Sequence, residues 1–188
     1  MLASAGTIEE VADALMAHSL RNVVVDPVMV STSGAELLPK EAVSVLRTVI
    51  LPLTRVLTPN IPEAKLLLSD AGVEVPEINS VANMETIARL VQSLGPEWVL
   101  VKGGHVPFKA DLTVAKDHEE MEVVVDVLCG DDGVYPIRSV YQTSRNTHGT
   151  GCSLACNLPS KNQSSSCADT LKRLSRPSSP RGLMSLGP

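Results

Sequence analysis

Three aliphatic runs, each closed by a polar residue or followed by one, constrain the fold of this 188-residue chain more than any other feature. They lie at residues 22–26, 55–57 and 98–102 and have the continuous apolar character of parallel strands buried on both faces. Helical patterns precede and separate them, at residues 7–20, 40–50, 62–69 and 81–94. The alternation predicts an α/β fold, with a mostly parallel sheet and helices on both faces.

Local signals mark where individual elements begin and turn. Thr7 stands three residues before Glu10, the spacing of a capping box, so we expect Thr7 to be the N-cap of the first helix. Residues 122–128 and 134–140 flank Gly-Asp-Asp-Gly and predict a β-hairpin.

Composition excludes several classes of protein. A net charge of -5 argues against a nucleic-acid binder, which would need a basic face. The sequence contains no run of about 18 apolar residues, so it predicts no membrane-spanning helix. The first six residues do not resemble a secretory signal. The cysteines lack C-x-x-C spacing, so we expect no zinc site and a reduced, cytoplasmic protein. They are Cys129, Cys152, Cys156 and Cys167.

The composition changes after Cys156. Residues 157–188 contain five Lys or Arg against one acid, together with eight Ser and four Pro, and show no apolar period. We therefore expect one partial domain at residues 1–156 and a basic Ser/Pro-rich tail that is disordered or non-native.

Polar features follow several of the predicted strands. Asp26, Asn60, Lys102 and the loop around Gly149 each come just after an apolar run. Because the carboxyl ends of parallel strands meet at one edge of a sheet, where ligands bind in α/β proteins, these residues predict a ligand site at that edge.

The segment Gly149-Thr150-Gly151-Cys152 is the strongest of these signals. Two glycines around a threonine can turn backbone N–H groups inward at a helix start, where an anion is favoured. A thiol at such a position has a lowered pKa and can act as a base. A tight strand-to-helix turn is the alternative interpretation. The chain has no G-x-x-x-x-G-K-[ST] motif and is therefore not a P-loop enzyme.

In its context this segment resembles a family signature. Residues 146–153 match the N-T-H-G-T-G-C-[ST] pattern of the hydroxymethylpyrimidine/phosphomethylpyrimidine kinases, thiamine-biosynthesis enzymes of the ribokinase-like superfamily. Three further stretches resemble the same family: V-D-P-V-M at 25–29, T-P-N-x-x-E-A at 58–64 and V-K-G-G-H at 101–105.

The resemblance implies a role for each matching residue, with ATP and Mg²⁺ as cofactors and a small pyrimidine as substrate. It implies an anion hole at Gly149, Thr150 and Gly151, and a general base at Cys152. It also implies a Mg²⁺ and ATP-phosphate region at Asp26, Asn60, Glu63 and Lys102, with Asn60 and Glu63 acting on the metal through water.

Structural interpretations remain open beside these roles. Asn60 and Glu63 could be a helix N-cap with a first-turn acid, Asp26 could accept from turn amides, and Lys102 could be a solvated strand-end lysine. His105 and His148 are interpreted as structural, together with the cysteines other than Cys152.

The resemblance covers roughly residues 1–155, whereas the family's chains are longer at both ends. Pro159 would interrupt the helix expected after Cys152. We therefore expect an incomplete ribokinase-like domain, truncated at both ends and inactive as it stands, although the complete enzyme could be a homodimer. Pyridoxal kinase activity, or a non-catalytic product with at most residual nucleotide binding, are the alternatives.

Overall fold

The computed structural model describes residues 4–30 and 37–143, together with Ala155. Helices and strands alternate along these residues, and the strands form one five-stranded sheet. The helices are α1 (Ala5–Ala17), α2 (Lys40–Val45), α3 (Ile61–Asp70) and α4 (Val81–Gln92). The strands are β1 (Val24–Val25), β2 (Val56–Leu57), β3 (Trp98–Val101), β4 (Val123–Gly130) and β5 (Gly133–Val140).

The sheet has the same strand order as the sequence. β1, β2 and β3 pair in parallel, while β4 and β5 each pair antiparallel with the preceding strand. All strands except β4 therefore point the same way, which confirms the predicted α/β fold with a mostly parallel sheet. β1 is an edge strand of the described sheet.

The two faces of the sheet carry separate apolar clusters. On one face, all four helices pack against alternate strand residues such as Leu57, Val99 and Val125. On the other face the described cluster is made by strand residues, chiefly Val56, Trp98, Leu100 and Leu128. Within the described part of the chain, helices therefore cover one face of the sheet, as predicted. The prediction of helices on the other face stays a prediction. Cys129 is fully buried on the helical side, as expected for a small core residue.

The start of α1 differs from the prediction. The N-cap is Ser4, whose side chain accepts a hydrogen bond from the backbone N–H of Thr7 at 3.3 Å, and Thr7 lies inside the first turn. Ser4 is an equally good cap, and its hydroxyl also bonds that of Thr7 at 3.0 Å. The helix ends at Ala17 because Ser19 adopts a positive φ of 50°.

The helix predicted over residues 40–50 is helical throughout but not regular. It is α-helical to Val45, continues as a π-helical turn over Leu46–Ile50 and closes as a 3₁₀ turn over Leu51–Leu53. Pro52 has no N–H to donate to the carbonyl of Thr48, so the α-helical ladder cannot continue through this point.

The predicted hairpin is confirmed, with β4 beginning one residue later and ending two residues later than expected. Gly130 and Gly133 pair across the turn, so β4 continues past residue 128. Gly130 lies against the indole of Trp98, where an added Cβ would come within 2.3 Å of the ring. None of the helices in residues 4–30 and 37–143 is long and apolar enough to cross a membrane.

Candidate functional site

Polar side chains gather beyond the carboxyl ends of the three parallel strands. Asp26 directly follows β1, Thr58 follows β2 and Lys102 follows β3. Because side chains alternate along a strand, all three continue the face that carries Val24, Val56 and Leu100. These three side chains therefore lie on the face of the sheet opposite α1–α4, while the start of α3 adjoins them at the strand ends.

An ion pair joins the ends of β1 and β3 across β2. The ammonium of Lys102 lies 2.7 Å from Oδ1 of Asp26, and the hydroxyl of Thr58 donates to the same oxygen at 3.2 Å. The two charged side chains are only 20% and 11% exposed. Lys102 is thus not a solvated strand-end lysine, and Asp26 accepts from side chains in the described structure.

Asn60 and Glu63 form a reciprocal capping box at the start of α3. Oδ1 of Asn60 accepts from the backbone N–H of Glu63 at 2.9 Å, and Oε2 of Glu63 accepts from the backbone N–H of Asn60 at 2.8 Å. The structural interpretation of this pair, a helix cap, is therefore realised.

Burial sets Glu63 apart from an ordinary first-turn acid, because it is only 2% exposed. Desolvation raises the pKa of its carboxyl, and the nearby charge of Asp26 adds to the rise. Hydrogen bonds from backbone N–H groups and the charge of Lys102 oppose it. A helix cap does not require such burial, so Glu63 belongs to the polar cluster as well as to α3.

Sequence reasoning missed a third acidic residue of this cluster, Asp126 in β4. Its Oδ1 accepts a hydrogen bond from the backbone N–H of Gly103 at 2.7 Å. Desolvation raises the pKa of this carboxyl, while the Gly103 hydrogen bond and the charge of Lys102 lower it. The signal was a lone acid inside the apolar run Val-Val-Val-Asp-Val-Leu.

The cluster has the charge and the donors to attract a divalent cation together with phosphate. The Lys102 ammonium contacts the Asp26 carboxylate and interacts electrostatically with those of Glu63 and Asp126. Carboxylate and amide oxygens are the ligands that Mg²⁺ prefers. Across residues 4–30 and 37–143, however, no three His, Cys, Asp or Glu side chains are arranged to enclose a metal ion. The residues fit a cation that keeps most of its ligands as water and phosphate oxygen, as Mg²⁺ does in phosphoryl-transfer enzymes.

The remaining predicted site residues lie outside the described part of the chain. These are Gly149, Thr150, Gly151 and Cys152, and the same holds for His148 and for the tail at residues 157–188. His105 is exposed, and partial desolvation and the charge of Lys102 lower the pKa of its imidazole.

Comparisons with known proteins agree with the motifs. The family profile described as phosphomethylpyrimidine kinase matches residues 1–169. The chain is 42% identical over 160 residues to a Schizosaccharomyces pombe protein named as a candidate hydroxymethylpyrimidine/phosphomethylpyrimidine kinase, covering 85% of this chain and 29% of that protein. It is 38% identical over 155 residues to a chloroplastic thiamine biosynthetic bifunctional enzyme of Arabidopsis thaliana, covering 82% of this chain and 26% of the enzyme.

The fold is also similar to that of solved kinases. An ADP complex of Bacillus subtilis pyridoxal kinase superposes with a TM-score of 0.65 at 32% identity, over 84% of this chain and 53% of that one. The sheet described above therefore corresponds to part of the ribokinase-like fold of these kinases. The chain spans between about a quarter and just over half of the length of these three relatives.

Proposed function

Because the chain belongs to the phosphomethylpyrimidine kinase family, we propose that its site binds the phosphates of ATP with Mg²⁺, for transfer to hydroxymethylpyrimidine or its monophosphate in thiamine biosynthesis. The observation that supports this most is the meeting of Asp26, Lys102 and Glu63 beyond the parallel strands. The family is a family of kinases, so the class of reaction is phosphoryl transfer.

The residues divide the work by charge. Lys102 neutralises phosphate oxygens, while Asp26 and Glu63, with Asn60, hold the hydrated cation. Bound Mg²⁺ would supply neutralisation of the charge on the phosphates. The backbone N–H groups of residues 149–151 would bind the transferred phosphoryl group, and the thiolate of Cys152 would accept the proton of the substrate hydroxyl.

The Asp26–Lys102 ion pair implies that metal and phosphate bind together. Either ligand alone has to separate the pair and leave one charge without a partner, whereas both together give each charge a new partner. We expect Mg²⁺ to tighten ADP binding by at least about tenfold, a coupling of about 1.4 kcal/mol. Calorimetric titration of ADP with and without Mg²⁺ measures this coupling.

The control for this titration is Asp26→Asn, which removes the charge that holds Lys102. ADP should then bind the substituted chain more tightly than the unsubstituted chain in the absence of Mg²⁺, and the effect of Mg²⁺ should shrink. Equal ADP affinity with and without Mg²⁺ in the unsubstituted chain would contradict the proposed coupling.

Glu63→Gln separates the metal role from the helix cap. The glutamine carbonyl can still accept from the backbone N–H of Asn60, but the charge is gone. We expect the Mg²⁺ concentration that gives half-maximal ADP binding to rise about tenfold or more, since a carboxylate near the cation has been lost.

Although Glu63→Gln should weaken Mg²⁺ binding, it should not lower the stability of the folded chain. The folded-state pKa of Glu63 lies above its ordinary value of 4.5, so the ionised, buried carboxylate lowers the free energy of unfolding at neutral pH. The protein regains this stability as the pH falls through the raised pKa and the carboxyl becomes protonated. Urea unfolding of Glu63→Gln should therefore show equal or greater stability at pH 7, and the difference should narrow at lower pH. Lower stability with an unchanged Mg²⁺ requirement would leave Glu63 as a helix cap only.

We also propose that this chain by itself binds nucleotide without phosphorylating the pyrimidine. An apolar groove of about 400 Å³ runs along β1 and is lined by Val11, Leu15, Leu38 and Leu46 among others. β1 is also the edge strand of the described sheet. An assay of the purified chain with ATP and hydroxymethylpyrimidine tests this, and product formation would refute it.

Pyridoxal kinase activity is the second candidate, and the similarity to Bacillus subtilis pyridoxal kinase favours it. The two activities are separated by comparing turnover of hydroxymethylpyrimidine and pyridoxal. The comparison requires a form of the chain that is active, such as one joined to the additional segments of the Schizosaccharomyces pombe relative.

A further inference from the structure

Asp126 is a charged residue of the polar cluster that the proposed roles leave unused. In the antiparallel register, Leu100 pairs with Leu128 and Val101 with Val127. The next position along β3 is Lys102, and the next along β4 is Asp126. Asp126 therefore stands opposite Lys102, on the side of β3 away from Asp26.

The backbone that carries Lys102 is held from both sides. On one side, the backbone N–H of Lys102 donates to the carbonyl of Pro59 at 2.8 Å. On the other side, the backbone N–H of Gly103 donates to Oδ1 of Asp126 at 2.7 Å. A carboxylate thus provides the contact between β3 and β4 just past the last backbone pair of these strands.

The close approach at Gly103 shows how tightly this connection is made. A Cβ built on Gly103 would lie 1.8 Å from the carbonyl oxygen of Val125, the residue before Asp126. The turn after β3 therefore lies directly on β4. The Asp126 carboxylate also acts on Lys102 electrostatically, from the side opposite the ion pair.

We propose that Asp126 is a positioning residue for phosphate binding, which fixes the Gly103 N–H and thereby holds Lys102 at the strand ends. This inference rests on the proposed function, since Lys102 is the group that receives the phosphates. Asp126 acts through Lys102 and Gly103, and it need not touch the nucleotide.

The test compares Asp126→Ala, which removes the acceptor, with Asp126→Asn, whose carbonyl can still accept from Gly103. Two quantities are measured on the full chain: hydrogen exchange of the Gly103 amide by NMR, and ADP affinity with Mg²⁺. We expect Asp126→Ala to speed exchange at Gly103 and to weaken ADP binding, each by about tenfold, the effect of about 1.4 kcal/mol. Asp126→Asn should restore both quantities to within about threefold, because the hydrogen bond is retained.

Glu122→Ala is the matched control, because Glu122 is an exposed acid just before β4 and should change neither quantity. If Asp126→Ala does not fold, Asp126→Leu removes the acceptor while keeping a side chain that branches at Cγ. Faster exchange at Gly103 with unchanged ADP affinity would overturn the positioning role, as would a failure of Asp126→Asn to restore both. Absence of ADP binding by the unsubstituted chain would refute the proposed function and this role together.

Discussion

Gly103→Ala is expected to remove more than about 3 kcal/mol of stability, the upper range for overpacking, or to prevent folding. The added Cβ would lie 1.8 Å from the carbonyl oxygen and 2.7 Å from the carbonyl carbon of Val125. Both atoms belong to the backbone of a paired strand and cannot rotate away as a side chain could. The turn would have to lift off β4, which would also break the Gly103–Asp126 hydrogen bond.

Gly104→Ala provides a matched control one residue away. An added Cβ at Gly104 meets no atom within 4 Å, and its backbone φ is not in the left-handed region. Its free energy of unfolding in urea should stay within about 0.5 kcal/mol of the unsubstituted value, as for most surface substitutions. Similar losses of stability for the two alanine substitutions would mean that the close approach of Gly103 to Val125 is not the cause of the loss.

Cys152→Ser should produce the largest kinetic effect. The motif match and the predicted helix start favour a thiolate at this position, and a serine hydroxyl is far less easily deprotonated. We expect turnover to fall by about 10²–10⁴, the usual range for a lost general base, with ADP affinity nearly unchanged. The measurement requires the active joined form described above.

Cys156→Ser is the control for this substitution, because it changes the same atom four residues further along the chain. Its turnover should match that of the parent enzyme. If Cys152→Ser retains turnover within twofold of the parent, Cys152 does not act as the base and the proton has another acceptor.

The sequence predicted the strand-end residues well because their positions depend on chain order alone. Asp26 and Lys102 each end an aliphatic run, and parallel strands in a sheet must bring such ends to one edge. The helix cap formed by Asn60 and Glu63 could also be predicted, because it joins residues that are three apart in the sequence. What the sequence did not predict was that Lys102 reaches across β2 to Asp26, since that contact depends on strand order in space.

The position of Asp126 was not predicted because it depends on the pairing register of β3 and β4. A single acid in an apolar strand usually faces solvent, and only the pairing of β4 with β3 puts this one opposite Lys102. The start of α1 was predicted wrongly because Ser4 and Thr7 both carry capping side chains, and local pattern does not decide between them. The π-helical turn before Pro52 arises from a missing N–H whose consequence falls several residues upstream.

The Asp26–Lys102 ion pair also has a consequence for local unfolding. β1 is two residues long and pairs on one side with β2, so few backbone hydrogen bonds retain it in the described sheet. The ion pair fastens its end to β3, two strands away. Detachment of β1 from the sheet therefore requires separation of the Asp26 and Lys102 charges. Under the proposed function the ligand separates this pair, so occupancy of the site and opening of the sheet edge at β1 are thermodynamically linked.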